Sequence, residues 1–174
     1  MKVQDVMTYN AQSCRPETNL AEAAMQMWRG DFGFLPVVGD GQKVVGVITD
    51  RDICMAAATK HRDPANIRVK EVISNNLYGC SPDTDIHEAL KIMQQKQVRR
   101  LPIIRAEDGR LCGVLSLNDI ALKAKEAKGA ELSAQDVEDT LKAICAHRRV
   151  TGQRQSPQVQ RAQPQEARPQ LPAA

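Results

Sequence analysis

Aromatic side chains are scarce in this chain: two Phe, two Tyr and one Trp among 174 residues. Its core must therefore rest on Val, Ile, Leu, Met and Ala, which the 42% apolar content can supply. No apolar run approaches the roughly 20 residues that span a bilayer, so no membrane association is expected. The opening MKVQDVMTYNAQS lacks the apolar stretch of a secretory leader, and the expected location is the cytoplasm. Cysteines are few and odd in number (Cys14, Cys54, Cys80, Cys112 and Cys145), with no CxxC pair. That argues against a disulfide framework and against structural zinc, and favours small buried thiols in a reducing compartment. His61, His87 and His147 are scattered. With no base, nucleophile or metal cluster in view, the expectation is a non-enzyme without a catalytic cofactor or metal.

A strong charge of either sign is also missing. From Arg148 onward there are five Arg and one Glu, while the rest is balanced at 19 basic against 20 acidic residues. A body of that kind gives no reason to expect a DNA groove.

What the chain does have is itself, twice. GVITDRDI at 46–53 returns as GVLSLNDI at 113–120. At an offset of 66, Val3, Val6, Cys14, Pro16, Thr18, Glu22, Ala23, Met27, Leu35 and Pro36 all meet identical residues. Those ten identities fall in 34 positions, where chance gives about two. One residue is then gained in a turn, and the register continues at an offset of 67. Each copy reads as short helix, strand, helix, strand, strand, helix. Asn19 with Glu22, and Asp85 with Glu88, are spaced as a helix cap and its third-residue partner, and these helices end near Gly30 and Lys96. FLPVV with VVGVIT, and LPIIR with LCGVLS, are strand pairs joined by turns. Closing helices run roughly from Asp50 to Lys60 and from Leu117 to Lys128. The fold class is thus an α/β (α+β) sandwich of two pseudo-symmetric repeats, each a small sheet packed by helices. Repeat one spans 2–60 and repeat two 68–128, followed by a helix at 133–149 and a disordered tail at 150–174.

The first long helix of copy one carries two apolar stripes. Leu20, Ala24 and Met27 form one; Ala21, Met25 and Trp28 form the other, which copy two replaces with His87, Lys91 and Gln94. The second stripe implies a cover, either a second subunit or the C-terminal helix. In that last helix Val137, Leu141 and Ile144 are spaced as its apolar side, Gly129 separates it from the repeat, and His147, Arg148 and Arg149 suit its C-terminus. The tail beyond is rich in Gln, Pro and Arg and poor in large apolar residues. It reads as solvated.

The motifs DVMT, PETNLAEAAMQM, FLPVV and GVITDRDI, then PDTDIHEALKIM, RRLPII and GVLSLNDI, together resemble the CBS domain, and their tandem order resembles the paired Bateman module. The stretch covered is about residues 2 to 125, and the chain resembles a stand-alone bacterial pair. The resemblance implies a regulatory homodimer that binds an adenosine-containing ligand (AMP, ADP, ATP, NAD or S-adenosylmethionine) between its copies, with an unidentified protein partner downstream.

The repeated corners fit that implication chemically. A carboxylate presents two acceptor oxygens, and the adjacent 2′- and 3′-hydroxyls of a ribose are two donors, so Asp52 and Asp119 are candidate sugar clamps. The hydroxyls of Thr49 and Ser116 sit where a helix begins, a position suited to phosphate. The same S/T-x-x-D spacing equally describes a plain helix cap. Arg51, Arg99 and Arg100 are candidate phosphate cations, or solvated surface charges. Copy one departs from the family pattern by having Gly33 and Phe34 where copy two has Arg99 and Arg100. Cys14, Cys80, Phe34 and Val98 are candidates for an apolar slot for the base, although the matched placement of Cys14 and Cys80 favours packing. The competing reading is an adaptor that has kept its caps, lost its ligand, and acts through the terminal helix.

Overall fold

Helix starts in this protein are set by short polar side chains. In the computed structural model, which describes residues 1–73, 77–124 and 131–146, Asn19 accepts a hydrogen bond from the N–H of Glu22 at 2.9 Å and opens α1, Leu20–Gly30. Asp85 opens α3, Ile86–Lys96, by accepting from the N–H of His87. Both helices end on a left-handed residue, Asp31 and Gln97. The strands are β1 Thr8–Tyr9, β2 Phe34–Val38, β3 Val44–Thr49, β4 Arg100–Ile104 and β5 Leu111–Ser116. The other helices are α2 Asp50–Thr59, α4 Leu117–Lys123 and α5 Ala134–Cys145. The architecture is the expected mixture of small antiparallel sheets and covering helices. Among the described residues no helix is long and apolar enough to cross a membrane.

α4 ends earlier than the expected Lys128: Ala124 is already extended and packs against the core of copy two. Gly129, His147, Arg148, Arg149 and the tail lie outside the described residues.

The sheets do not follow the sequence repeats. Among the described residues β2 and β3 form a two-stranded sheet, whereas β1 crosses to copy two and gives the order β1-β5-β4. Thr8 and Tyr9 pair with Val114 and Gly113. The crossing needs glycine: a Cβ on Gly113 would stand 2.3 Å from the carbonyl oxygen of Thr8. Val3, Val6 and Met7 are buried with Leu90, Met93, Leu101 and Ile120 in the core of copy two. The return arm mirrors this, since Ile67 and Val69 are buried with Leu20, Met27, Leu35 and Ile48 in the core of copy one. Backbone bonds repeat the exchange at the same offset: Val3 N–H donates to the Thr84 carbonyl at 2.9 Å, and Val69 N–H to the Thr18 carbonyl at 2.8 Å. Each packing unit is therefore completed by an arm from the other repeat.

α5 docks on α3. Its buried side is Val137, Thr140 and Ile144, while Leu141 is exposed. The apolar-spacing expectation missed Thr140, which is buried because its hydroxyl accepts from the Gln94 side-chain amide at 2.8 Å. The C-terminal helix consequently does not cover Trp28, and of the two covers expected for that stripe this one is excluded within the chain. Ser133 caps α5, and its hydroxyl and N–H both bind Asp136 Oδ2 at 2.6 and 2.9 Å. These bonds, with His87 nearby, hold the Asp136 carboxyl below its ordinary range. A lowered folded-state pKa stabilises above the ordinary carboxylate value near 4, and that contribution drains as pH falls through the folded value. Ser133→Ala is expected to cost about 1 kcal/mol. Hydrogen exchange should show faster opening of α5 in this variant, and in the parent protein as the pH drops below about 4.

Candidate functional site

Each repeated corner folds onto itself. Thr49 ends β3, and its hydroxyl accepts from the Asp52 N–H at 3.2 Å. Asp52 Oδ2 in turn accepts from the Thr49 N–H at 2.9 Å and from its hydroxyl at 2.7 Å. Ser116 and Asp119 repeat the set at 3.1, 2.8 and 2.6 Å. Capping thus occupies one oxygen of each carboxylate and leaves the other. Oδ1 of Asp119 accepts from the Thr8 hydroxyl at 3.2 Å, a long bond at the surface. Oδ1 of Asp52 has no hydrogen-bond partner among the described residues. The stretch equivalent to Thr8–Asn10 in the other copy, residues 74–76, lies outside them.

The surroundings of the two corners differ. Ser116 and Asp119 line a cleft of about 210 Å³ between the copies. The exchanged arm supplies Thr8, Ala11 and Gln12; copy one supplies Phe32 and Phe34; β5 supplies Val114. Arg100 completes the lining because strand register sets it directly across from Ser116. Thr49 and Asp52 line neither this cleft nor a second one, of about 480 Å³, between α1 and α2.

Of the candidate side chains, the structure brings Asp119, Ser116, Arg100 and Phe34 together. It does not bring Arg51 or Arg99. Adjacent strand residues face opposite ways, and Arg99 is exposed just ahead of β4, its carbonyl accepting from the Leu117 N–H at 2.9 Å. Arg51 is exposed in the first turn of α2, where its N–H donates to Asp50 Oδ1 at 2.7 Å. Arg51 and Arg99 therefore line neither described cleft. At the Gly33 departure copy one brings a carboxylate close instead of a cation: a Cβ there would lie 2.3 Å from Asp50 Oδ2, the movable end of that side chain.

Cys14, Cys80 and Val98 also lie away from the cleft. Cys14 and Cys80 bridge in parallel to Val37 and Ile103 and pack into the two cores, as does Val98 in copy two. The lining comes from Ala11 and Gln12, three and two residues before Cys14 on the exchanged arm. Burial pushes both thiols up to about 11. Since the thiolate is the nucleophile, alkylation of the native protein near pH 8 should mark exposed Cys54 and Cys145 first and spare Cys14 until unfolding. Mass spectrometry of the labelled protein reads the order directly.

Sequence reasoning missed Thr8, Ala11, Gln12, Phe32 and Val114. One signal was present, since Thr8 meets Ser74 at the repeat offset, so a hydroxyl recurs there. Among the described residues, no group of three or more His, Cys, Asp or Glu could hold a metal ion.

Two interlocked copies, with a carboxylate-bearing cleft between them, define a tandem-repeat α/β protein. The chain belongs to the CBS-domain family, whose sequence pattern matches residues 3–59 and 69–126. It is 34% identical over 133 residues to the CBS domain-containing protein YhcV of Bacillus subtilis, covering 75% of this chain and 92% of that one. Its fold is similar to the CBS domain pair of protein MJ0100, solved in complex with 5-methylthioadenosine and S-adenosyl-L-methionine. That match has a TM-score of 0.64 at 21% identity and covers 70% of this chain and 94% of that one. It is also similar to CBSX2, solved in complex with AMP, with a TM-score of 0.58 at 24% identity over 68% and 91% of the two chains.

Proposed function

We propose that this protein is a ligand-sensing regulatory module that binds an adenosine-containing molecule in the Asp119 cleft and works as a homodimer. The observation that carries the reading is the split use of the Asp119 carboxylate. Oδ2 is pinned by Ser116, which fixes the group's orientation, while among the described residues Oδ1 is held by the exposed Thr8 hydroxyl alone. A ribose diol can take that oxygen. Phe32 and Phe34 offer apolar surface for a base, and Arg100 a cation for phosphate. Titration calorimetry with AMP, ADP, ATP, NAD and S-adenosylmethionine tests this. Binding to at least one, weakened by substitution of Asp119, is the expected result, and no binding to any of them overturns it.

The cleft's size points to a mechanism. At about 210 Å³ it is smaller than the roughly 300 Å³ at which small-molecule sites begin. A whole nucleotide must widen it, and its walls belong to both copies and to an exchanged arm. Binding would then favour a more open arrangement of the copies through differential affinity for the two arrangements. The same tightness favours a second reading, an adaptor in which both corners serve only as caps. A thermal-shift screen without a nucleotide hit, together with partner capture that depends on residues 133–149, would select it.

A further inference from the structure

Copy one is hollow where copy two is filled. The groove of about 480 Å³ between α1 and α2 has its counterpart in copy two at positions 66 or 67 residues on. There Leu90 and Leu117 are buried, and the Gln97 amide holds α5 by donating to the Ala143 and Ala146 carbonyls at 3.3 and 2.7 Å. In copy one the same positions carry Ala24, Asp50 and Asp31. A methyl group and two carboxylates thus stand in place of two space-filling leucines and an amide. The groove carries three charged groups, Asp31, Asp50 and Arg100, and among the described residues none of the three is in an ion pair. Both acids are exposed, whereas Arg100 is half-buried, where a guanidinium without a counter-charge is costly. Asp31 closes the C-terminal end of α1, where the helix dipole favours a cation over an acid. Asp50 keeps one oxygen on the Arg51 N–H at 2.7 Å and has the other beside Gly33. Trp28, Met27 and Ile53 supply apolar wall.

We propose that this groove binds a free α-amino acid with an apolar side chain. The lining selects that class by charge. An ammonium group has three donors and no acceptor, and Asp31 and Asp50 offer it acceptors. A guanidinium holds a carboxylate through two parallel bonds, and Arg100 is the one cation among the described lining residues. Because neither acid pairs with Arg100 directly, the opposite charges stand apart and leave room for a molecule that carries both. Its side chain would lie on Trp28, Met27 and Ile53. A simple organic acid would meet two like charges, and a simple amine would leave Arg100 without a counter-charge. The volume falls within the roughly 300–1,000 Å³ of small-molecule sites. Arg100 and Phe32 also line the Asp119 cleft, so an amino acid here would touch a wall of that cleft from behind. The site does not rest on the nucleotide reading, and either can fail without the other.

Trp28 is the sole tryptophan, so its emission reports on this groove. Titration of the full chain with leucine, methionine and phenylalanine, without nucleotide, is expected to give a saturable emission change with at least one of them. Calorimetry of the same pairs registers a ligand that binds without altering the emission. The amine and the carboxylic acid analogues of the best binder, each lacking one charged end, should bind at least about tenfold more weakly. Ala24→Leu, which gives copy one the side chain of Leu90, should abolish binding while the protein still melts cooperatively. Asp31→Asn, at an exposed position, should weaken binding about tenfold and decides the matter if the leucine variant fails to fold. No saturation with any of the three amino acids at millimolar concentration overturns the proposal. So does an amine or acid analogue that binds as well as the amino acid, which would make the groove a plain ionic or apolar site. A folded Ala24→Leu protein, or an Asp31→Asn protein, that binds like the parent also overturns it, since the ligand would then lie elsewhere.

Discussion

Replacing Asp119 with asparagine is expected to weaken nucleotide binding by about ten- to hundredfold while the fold survives. Hydrogen bonds to a charged group contribute about 1.5–3 kcal/mol, and about 1.4 kcal/mol is tenfold in affinity. Asparagine keeps a carbonyl oxygen that can accept from the Ser116 N–H, the bond made at 2.8 Å in the present structure, so α4 stays capped. It loses the charge and the acceptor that would face a sugar diol. Alanine at the same position would confuse the two roles, because it also removes the bonds that Ser116 makes to the carboxylate. The matching change Asp52→Asn is expected to matter less, because Asp52 lines neither described cleft. Calorimetric titration of both variants, with melting curves alongside, separates binding from stability. An Asp119→Asn protein with unaltered affinity would remove the proposed clamp.

Ile67→Ala should give the largest stability loss among these substitutions, about 2–5 kcal/mol. The residue lies in the link between the repeats, after residue 60 and before residue 68. In the structure it is fully buried in the core of copy one, and its carbonyl accepts from the Leu20 N–H at 3.0 Å. Denaturant unfolding should register the loss in one transition shared by both copies, because each core contains a piece of the other repeat. A cost below about 1 kcal/mol, or two separable transitions, would contradict the interlocked packing.

Much of this arrangement was legible in the residues. The caps at Asn19, Thr49, Ser116 and Ser133 were readable because a short polar side chain before an apolar-periodic run has one economical use. The strand pairs β2–β3 and β4–β5 were readable because they are local. The exchange of arms was not, for a repeat offset says which segments are alike and not which partner each chooses. β1 has only two residues, too few to show a period. The site was half legible for the same reason. Asp119 and Ser116 announce themselves by spacing, whereas Thr8 and Gln12 reach the cleft only through the crossing, and Arg100 rather than Arg99 reaches it through strand alternation. Thr140 was hidden by its polarity, since a buried hydroxyl matched to a distant glutamine leaves no apolar signature.

The reciprocal arms also bear on how such a duplication persists. A gene cut back to either half would encode a unit lacking an arm of its core, and in the second half the free edge of β5 at Gly113 and Val114 would lie open. An unpaired edge recruits strands from neighbouring molecules, so the shortened product would tend to clump. Once the ancestral copies had traded arms, losing one of them ceased to be a harmless deletion, and the pair became the smallest heritable unit.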